Sequence, residues 1–222
     1  MILEARNVEY AYKSQMGRKV LDNISIQFEE EKFYTIIGSS GAGKTTLLSL
    51  LAGLDSPTAG KIFYEGEDIK GNGLNYHRKH HISLVFQEYN LIDYLTAEEN
   101  VRTGGTDKPE ELLLKVHMPQ ETWKRNIMQL SGGQQQRVAI ARALASNAKV
   151  LLADEPTGNL DEQTAAEIIE LLKHTAHELG KCVIVVTHSR YLAGEADEIV
   201  QIKDGKVETP VETQAVPDEN GI

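Results

Sequence analysis

The chain is 222 residues long, 41% hydrophobic and 25% charged, which suits one globular domain or one with a small inserted lobe. Its net charge of −10 argues against a nucleic acid as main ligand, because the phosphate backbone is bound by clustered Lys and Arg. No apolar run approaches the ~20 residues of a membrane span, and MILEARNVEY does not read as a signal peptide, so the expectation is a cytoplasmic protein, for which any membrane role must come through a partner.

In chain order, NVEYAY and VLDNISIQF within residues 1–30 alternate apolar and polar positions, the pattern of antiparallel strands packed beside a core. KFYTIIG, from Lys32, is a β-rich apolar run, and Gly38 to Thr45 after it read GSSGAGKT, a full match to G-x-x-x-x-G-K-[ST]. A helix is predicted from Lys44 to Ala52. Strand, glycine-rich turn and helix in that order make a phosphate cradle: the turn aims backbone N–H groups inward, and the helix adds the positive end of its dipole. Gly38, Ser39, Ser40, Gly41, Ala42, Gly43, Lys44, Thr45 and Thr46 are therefore candidates to hold ATP. Lys44 is expected on the β- and γ-phosphates and the Thr45 hydroxyl on Mg²⁺.

HISLVF, from His81, is the next apolar strand, with Gln87 at its end, where the amide can touch Mg²⁺ or water. Residues from about Gln87 to Gln129 read as helical: Thr96-Ala-Glu-Glu99 is a capping box, and Pro109 to Val116 suits a second helix. A helical lobe inserted at about 88–145 is expected. It includes LSGGQQQR, from Leu130, where Ser131 is an N-cap and Gly132 and Gly133 open a helix running to Ala145. That makes a second anion-binding helix N-terminus. It becomes useful if two chains face each other and each cradle meets the other chain's loop, with Ser131 donating to the γ-phosphate.

KVLLAD, from Lys149, and KCVIVVTH, from Lys181, are nearly continuous apolar runs, as parallel strands covered on both faces require. Asp154 ends the first; it suits Mg²⁺, and Glu155, directed differently, suits a general base for water. Between the two runs, apolar residues recur at helical spacing from Thr164 to Leu179, with Gly180 as a C-cap. The single cysteine, Cys182, reads as a buried core residue and excludes an intrachain disulfide and a Cys-based zinc site. His188 follows the last run at the sheet edge where Lys44 and Asp154 gather, within reach of the γ-phosphate or the attacking water. The residues thus predict an α/β fold: a P-loop NTPase with a mostly parallel core sheet, an N-terminal antiparallel β subdomain and an inserted α-helical subdomain, spanning 1–206. The segment 207–222, with four acidic residues, two prolines and no basic residue, is expected to be a flexible tail.

GSSGAGKT, Gln87, LSGGQQQR, VLLADE, GNLD (Gly158 to Asp161) and His188, in that order, resemble the ATP-binding subunits of ABC transporters over residues 2 to 206. ADEPTGNLD and VTHS are most similar to the subgroup serving lipoprotein release, macrolide or antimicrobial-peptide export, and to the related cell-division ATPase. The resemblance implies an ATPase in which Tyr12 stacks on adenine, Ser131, Gly132, Gly133 and Gln134 complete the partner's site, and Asp161 couples the two sites of a head-to-tail dimer. It also implies a membrane-spanning permease met by the region after Gln87, and a second ATP-binding subunit, expected as a homodimer. An extracytoplasmic adaptor goes with an exporter; location is the cytoplasmic face of the cell membrane. The alternative is a regulatory ABC ATPase without transport. One departure stands out: TGGTDKPEELLLKVHM, from Thr103, is shorter than the helical stretch usual in this subgroup, so no cargo is inferred.

Overall fold

In the computed structural model, which describes residues 1–12 and 19–208, two sheets meet over a shared apolar layer. The smaller is antiparallel, formed by β1 (Leu3–Tyr10), β2 (Leu21–Phe28), β4 (Ala59–Tyr64) and β5 (Glu67–Asp68) in the order β2-β1-β4-β5. The larger has the order β10-β9-β3-β8-β7-β6, from β3 (Phe33–Ile37), β6 (Ile82–Val85), β7 (Val150–Asp154), β8 (Cys182–Val186), β9 (Glu198–Lys203) and β10 (Lys206–Glu208). All its pairings are parallel except β9 with β10.

The apolar runs are continuous because both faces of this sheet are covered. Tyr34, Ile36, Leu152, Ile184 and Val186 face a layer shared with α1 (Lys44–Leu51) and the antiparallel sheet. Phe33, Leu151, Ala153, Val183 and Val185 face α5 (Gly132–Leu144) and α6 (Glu162–His177). A fully buried side chain such as Leu152 contributes about 1.5–3 kcal/mol relative to exposure. Cys182 lies in this interior, as expected, and burial pushes its thiol pKa up.

Local caps set the helix starts. Thr96 and Glu99 form the expected capping box at α3 (Ala97–Arg102), and Pro109 opens α4 (Pro109–Lys115). Ser131 and Gln134 form a second box at α5. The stretch between Gln87 and Gln129 is helical only in part: α3 and α4 have 6 and 7 residues, followed by single 3₁₀ turns at Gln120–Thr122 and Ile127–Gln129.

Several elements correct the sequence reading. β4 and β5 are missing from it because the first half of β4, Ala59-Gly60-Lys61, is exposed and carries no alternating pattern; pairing with β1 makes it a strand. Helix α2 (Leu74–His80), with polar Asn75, His77, Arg78, Lys79 and His80, shows no apolar stripe either. β6 stops at Val85, short of Phe86, and α6 starts at Glu162, capped by Asp161, rather than at Thr164. The expected tail from 207 begins two residues too early, since Val207 and Glu208 pair with Ile202 and Gln201 in β10; the remainder lies outside the described residues. Among the described residues, no helix is long and apolar enough to cross a membrane.

Candidate functional site

The parallel strands β3, β8 and β7 end in register, Ile36 pairing with Val186 and Val186 with Asp154, so the residues that follow each strand gather at one sheet edge. After β3 the chain turns through Ser39 to Gly43 into α1. Gly43, the N-cap, has φ 104°, a left-handed conformation that a side chain disfavours, and a β-carbon there would lie 2.7 Å from Leu21 Cδ2. Lys44 Nζ donates to the carbonyls of Gly38 at 2.8 Å and Ser39 at 3.1 Å, bracing the curled loop. A cleft of about 680 Å³ opens over this turn, lined by Ser39, Ser40, Gly41, Ala42, Gly43, Lys44, Thr45 and Thr46, with Tyr12 on its wall. Tyr12 Oη and Thr46 Oγ1 are 3.1 Å apart across it.

The acidic pair at the end of β7 splits. Thr45 Oγ1 donates to Asp154 Oδ1 at 3.3 Å, bringing a hydroxyl and a carboxylate together at the loop. These are hard oxygen donors of the kind that hold Mg²⁺ alongside waters and phosphate, so the residues fit that ion. Burial raises the Asp154 pKa above the ordinary carboxylate value, and the Thr45 hydrogen bond opposes it. Glu155 turns elsewhere because its backbone is left-handed, φ 46°, with its N–H donating to Val186 O at 2.9 Å. A non-glycine residue held there costs about 1–2 kcal/mol. Its Oε1 accepts from His188 Nδ1 at 2.7 Å, and its Oε2 from Thr187 Oγ1 at 3.3 Å and His188 N at 3.4 Å. The Glu155 side chain is 15% exposed and that of His188 73%, so a sheltered carboxylate meets an open imidazole. Both line a second cleft of about 790 Å³, beside Gly158 and Leu160.

Among the described residues, no hydrogen bond joins Gln87 to Thr45 or Asp154. Its side-chain amide nitrogen packs against Gly158, where a β-carbon would lie 3.3 Å away, and its backbone carbonyl accepts from Asn159 Nδ2 at 3.4 Å. Nor do Ser131, Gly132, Gly133 or Gln134 line the phosphate cleft of their own chain. Ser131 Oγ accepts from Gln134 N at 3.3 Å, and Ser131 N donates to Gln134 Oε1 at 3.1 Å, so the two cap their own helix. Gly133 has an internal reason to be glycine: a β-carbon would lie 2.4 Å from Thr164 Cγ2 in α6. A β-carbon at Gly132 would come within 3.0 Å of Tyr89 Oη. Arg142 of α5 also ties back to that segment, donating to the carbonyls of Tyr89, at 3.0 Å, and Asn90.

Lys19, Val20, Asp204 and Gly205 also line the cleft, and sequence reasoning missed them. Asp204-Gly205 between β9 and β10 is a readable hairpin signal, with φ 49° and 74°. Only the fold brings that turn to the cleft. Thr187, fully buried between Glu155 and Ser189, was likewise invisible as a bridge.

Residues 21–158 match the family model described as ABC transporter. Among curated relatives, the ABC transporter ATP-binding protein YclH of Bacillus subtilis is 42% identical, with 92% of this chain and 94% of YclH covered. The lipoprotein-releasing system ATP-binding protein LolD 1 of Rhodopseudomonas palustris is 38% identical, with 92% and 96% covered. The macrolide export ATP-binding/permease protein MacB of Brucella melitensis is 39% identical over 88% of this chain, which spans 32% of MacB. The dimeric structure of MJ0796, a bacterial ABC transporter cassette by its description and a Methanocaldococcus jannaschii protein, superposes with TM-score 0.85 at 37% identity, covering 97% of this chain and 100% of that one. A dimeric post-hydrolysis state of the same cassette bound to ADP and Pi superposes with TM-score 0.84.

Proposed function

The chain belongs to the ABC transporter family as one of its ATP-hydrolysing, ATP-binding cassettes, and from that premise we propose that it dimerises on ATP and drives a membrane-embedded permease.

ATP is expected across the first cleft. Tyr12 stacks on adenine, the turn from Gly38 to Gly43 and the N-terminus of α1 receive the phosphates, and Lys44 exchanges its bonds to Gly38 and Ser39 for the β- and γ-phosphate oxygens. Thr45, Asp154 and Gln87 would hold Mg²⁺, which when bound would neutralise developing phosphate charge. Glu155 takes the proton of the attacking water, and His188, donating to Oε1, orients that carboxylate beside the γ-phosphate.

The observation that carries the dimer is the separation of the two anion-binding ends: Ser131 to Gln134 lie outside their own chain's phosphate cleft. In a head-to-tail pair, Ser131, Gly132, Gly133 and Gln134 of one chain cover the triphosphate held by the other. The dimeric arrangement of the similar MJ0796 cassette supports this. Nucleotide closes the pair only through contacts that exist in the closed state, so hydrolysis loosens it and the permease reads the motion.

The likeness to LolD and MacB supports an exporter of peptide, drug or lipid-linked cargo, acting from the cytoplasmic face of the membrane, with an extracytoplasmic adaptor as a further partner. The test is purification of the tagged Glu155→Gln chain from detergent-solubilised membranes with ATP. A multi-span membrane protein should come with it; recovery of the chain without one would overturn the permease role.

A further inference from the structure

The base-stacking candidate, Tyr12, lies two residues beyond the end of β1, so strand pairing does not set its ring. It is 44% exposed, and the contacts described for its ring and hydroxyl are with Tyr10 and Thr46. Tyr10 is buried and meets Tyr12 edge-on, with ring centroids 5.0 Å apart and planes at 89°. The Tyr10 hydroxyl donates to Asp55 Oδ2, and Asp55 Oδ1 accepts from Ser56 N at 2.7 Å, so the carboxylate is itself held. The Asp55 hydrogen bond, followed by burial, pushes the Tyr10 pKa up to about 12.

These contacts lead to the two sides of one helix. Thr46 is in the first turn of α1, and Asp55 lies in the turn that follows it, four residues after its last residue, Leu51. The segment that begins at the phosphate cradle therefore also, through Asp55 and Tyr10, holds the aromatic ring at the cleft wall.

We propose that Tyr10, pinned by Asp55, is a positioning residue for the nucleotide base, presetting the plane of Tyr12 relative to the phosphate loop. This rests on the reading of Tyr12 as the adenine platform. A ring already fixed loses less freedom when the base stacks on it, so the gain belongs to the base and not to the phosphates. Tyr10 itself touches no nucleotide.

The experiment is calorimetric binding of ATP and of inorganic tripolyphosphate, each with Mg²⁺, to the whole chain. Tyr10→Leu should weaken ATP roughly two- to tenfold, the scale of an edge-to-face aromatic pair, and leave tripolyphosphate unchanged. Tyr10→Phe, which keeps the ring and loses the Asp55 bond, should give a smaller loss for ATP alone. In a Tyr12→Ala background, Tyr10→Leu should have no further effect. Equal weakening of both ligands, no weakening of ATP, or an undiminished effect without the Tyr12 ring would overturn the proposal. If Tyr10→Leu does not fold, Tyr10→Phe and Asp55→Asn decide it, and the absence of a base-selective loss in both overturns it. If Tyr12→Ala alone binds ATP like the wild type, the platform reading fails and the proposal with it. That outcome is distinct from one in which Tyr12→Ala weakens ATP and the Tyr10 variants do not.

Discussion

His188 Nδ1 donates to Glu155 Oε1 at 2.7 Å, while Thr187 Oγ1 donates to the other oxygen of the same carboxylate at 3.3 Å. Both donors come from the segment after β8, the strand beside β7. A carboxylate gripped on both oxygens is oriented before substrate arrives. Glu155→Gln keeps the shape and removes the base, so ATP binding should persist while phosphate release falls by about 10²- to 10⁴-fold. Unchanged turnover would remove Glu155 from that role.

Composite sites are tested by mixing chains. Lys44→Ala and Ser131→Arg should each be nearly inactive alone, and a heterodimer of the two keeps one intact cradle facing one intact Ser131. The mixture should therefore exceed the summed activity of the separate chains. Activity that equals the sum at every ratio would count against shared sites.

Gly133→Ala probes the glycine pair independently of nucleotide. The added carbon would sit 2.4 Å from Thr164 Cγ2, and such overpacking costs about 1–3 kcal/mol. Thr164→Ser removes that methyl and keeps the hydroxyl that donates to Asp161 Oδ2 at 2.7 Å. The double variant should thus recover most of the lost thermal stability; no recovery would show that the strain lies elsewhere.

A histidine pair predicts acid sensitivity. His77 is buried, its Nε2–H donates to Leu51 O at 3.0 Å, and its Nδ1 accepts from His81 Nδ1–H at 3.1 Å, an arrangement that requires the His77 ring to be neutral. Burial, first, and then the neighbouring His81 and Arg78 lower the His77 pKa to about 4, against the Leu51 hydrogen bond. Because the folded pKa lies below the unfolded one, the unfolded chain binds more protons between them. The His77 contribution is therefore complete above the ordinary histidine pKa of about 6.5 and is lost progressively as pH falls towards about 4. The slope approaches about 1.4 kcal/mol per pH unit. Urea unfolding at about pH 7.5 and about pH 5 should show this loss in the wild type and a smaller one in His77→Gln; equal losses would rule the pair out as the cause.

Legibility in the sequence followed the physics of each feature. GSSGAGKT, the KVLLAD and KCVIVVTH strands, and the boxes at Thr96 and Ser131 were readable because each depends on neighbours a few residues apart. β4 was not, because an exposed, glycine-containing strand is made by its pairing with β1. Gln87 shows the same limit: its place after an apolar strand was legible, but its packing against Gly158 was not.

The amino-acid order by itself therefore determined the local devices: a glycine turn that curls, a helix that starts at a cap, an apolar run that must be covered on both faces. Tertiary structure alone decided which devices meet, since contacts between Tyr10 and Asp55, Thr45 and Asp154, or Glu155 and His188 join residues 45, 109 and 33 positions apart. Separations of that size are closed by burying the sheet between its two apolar layers, and no short-range pattern in the chain encodes the outcome.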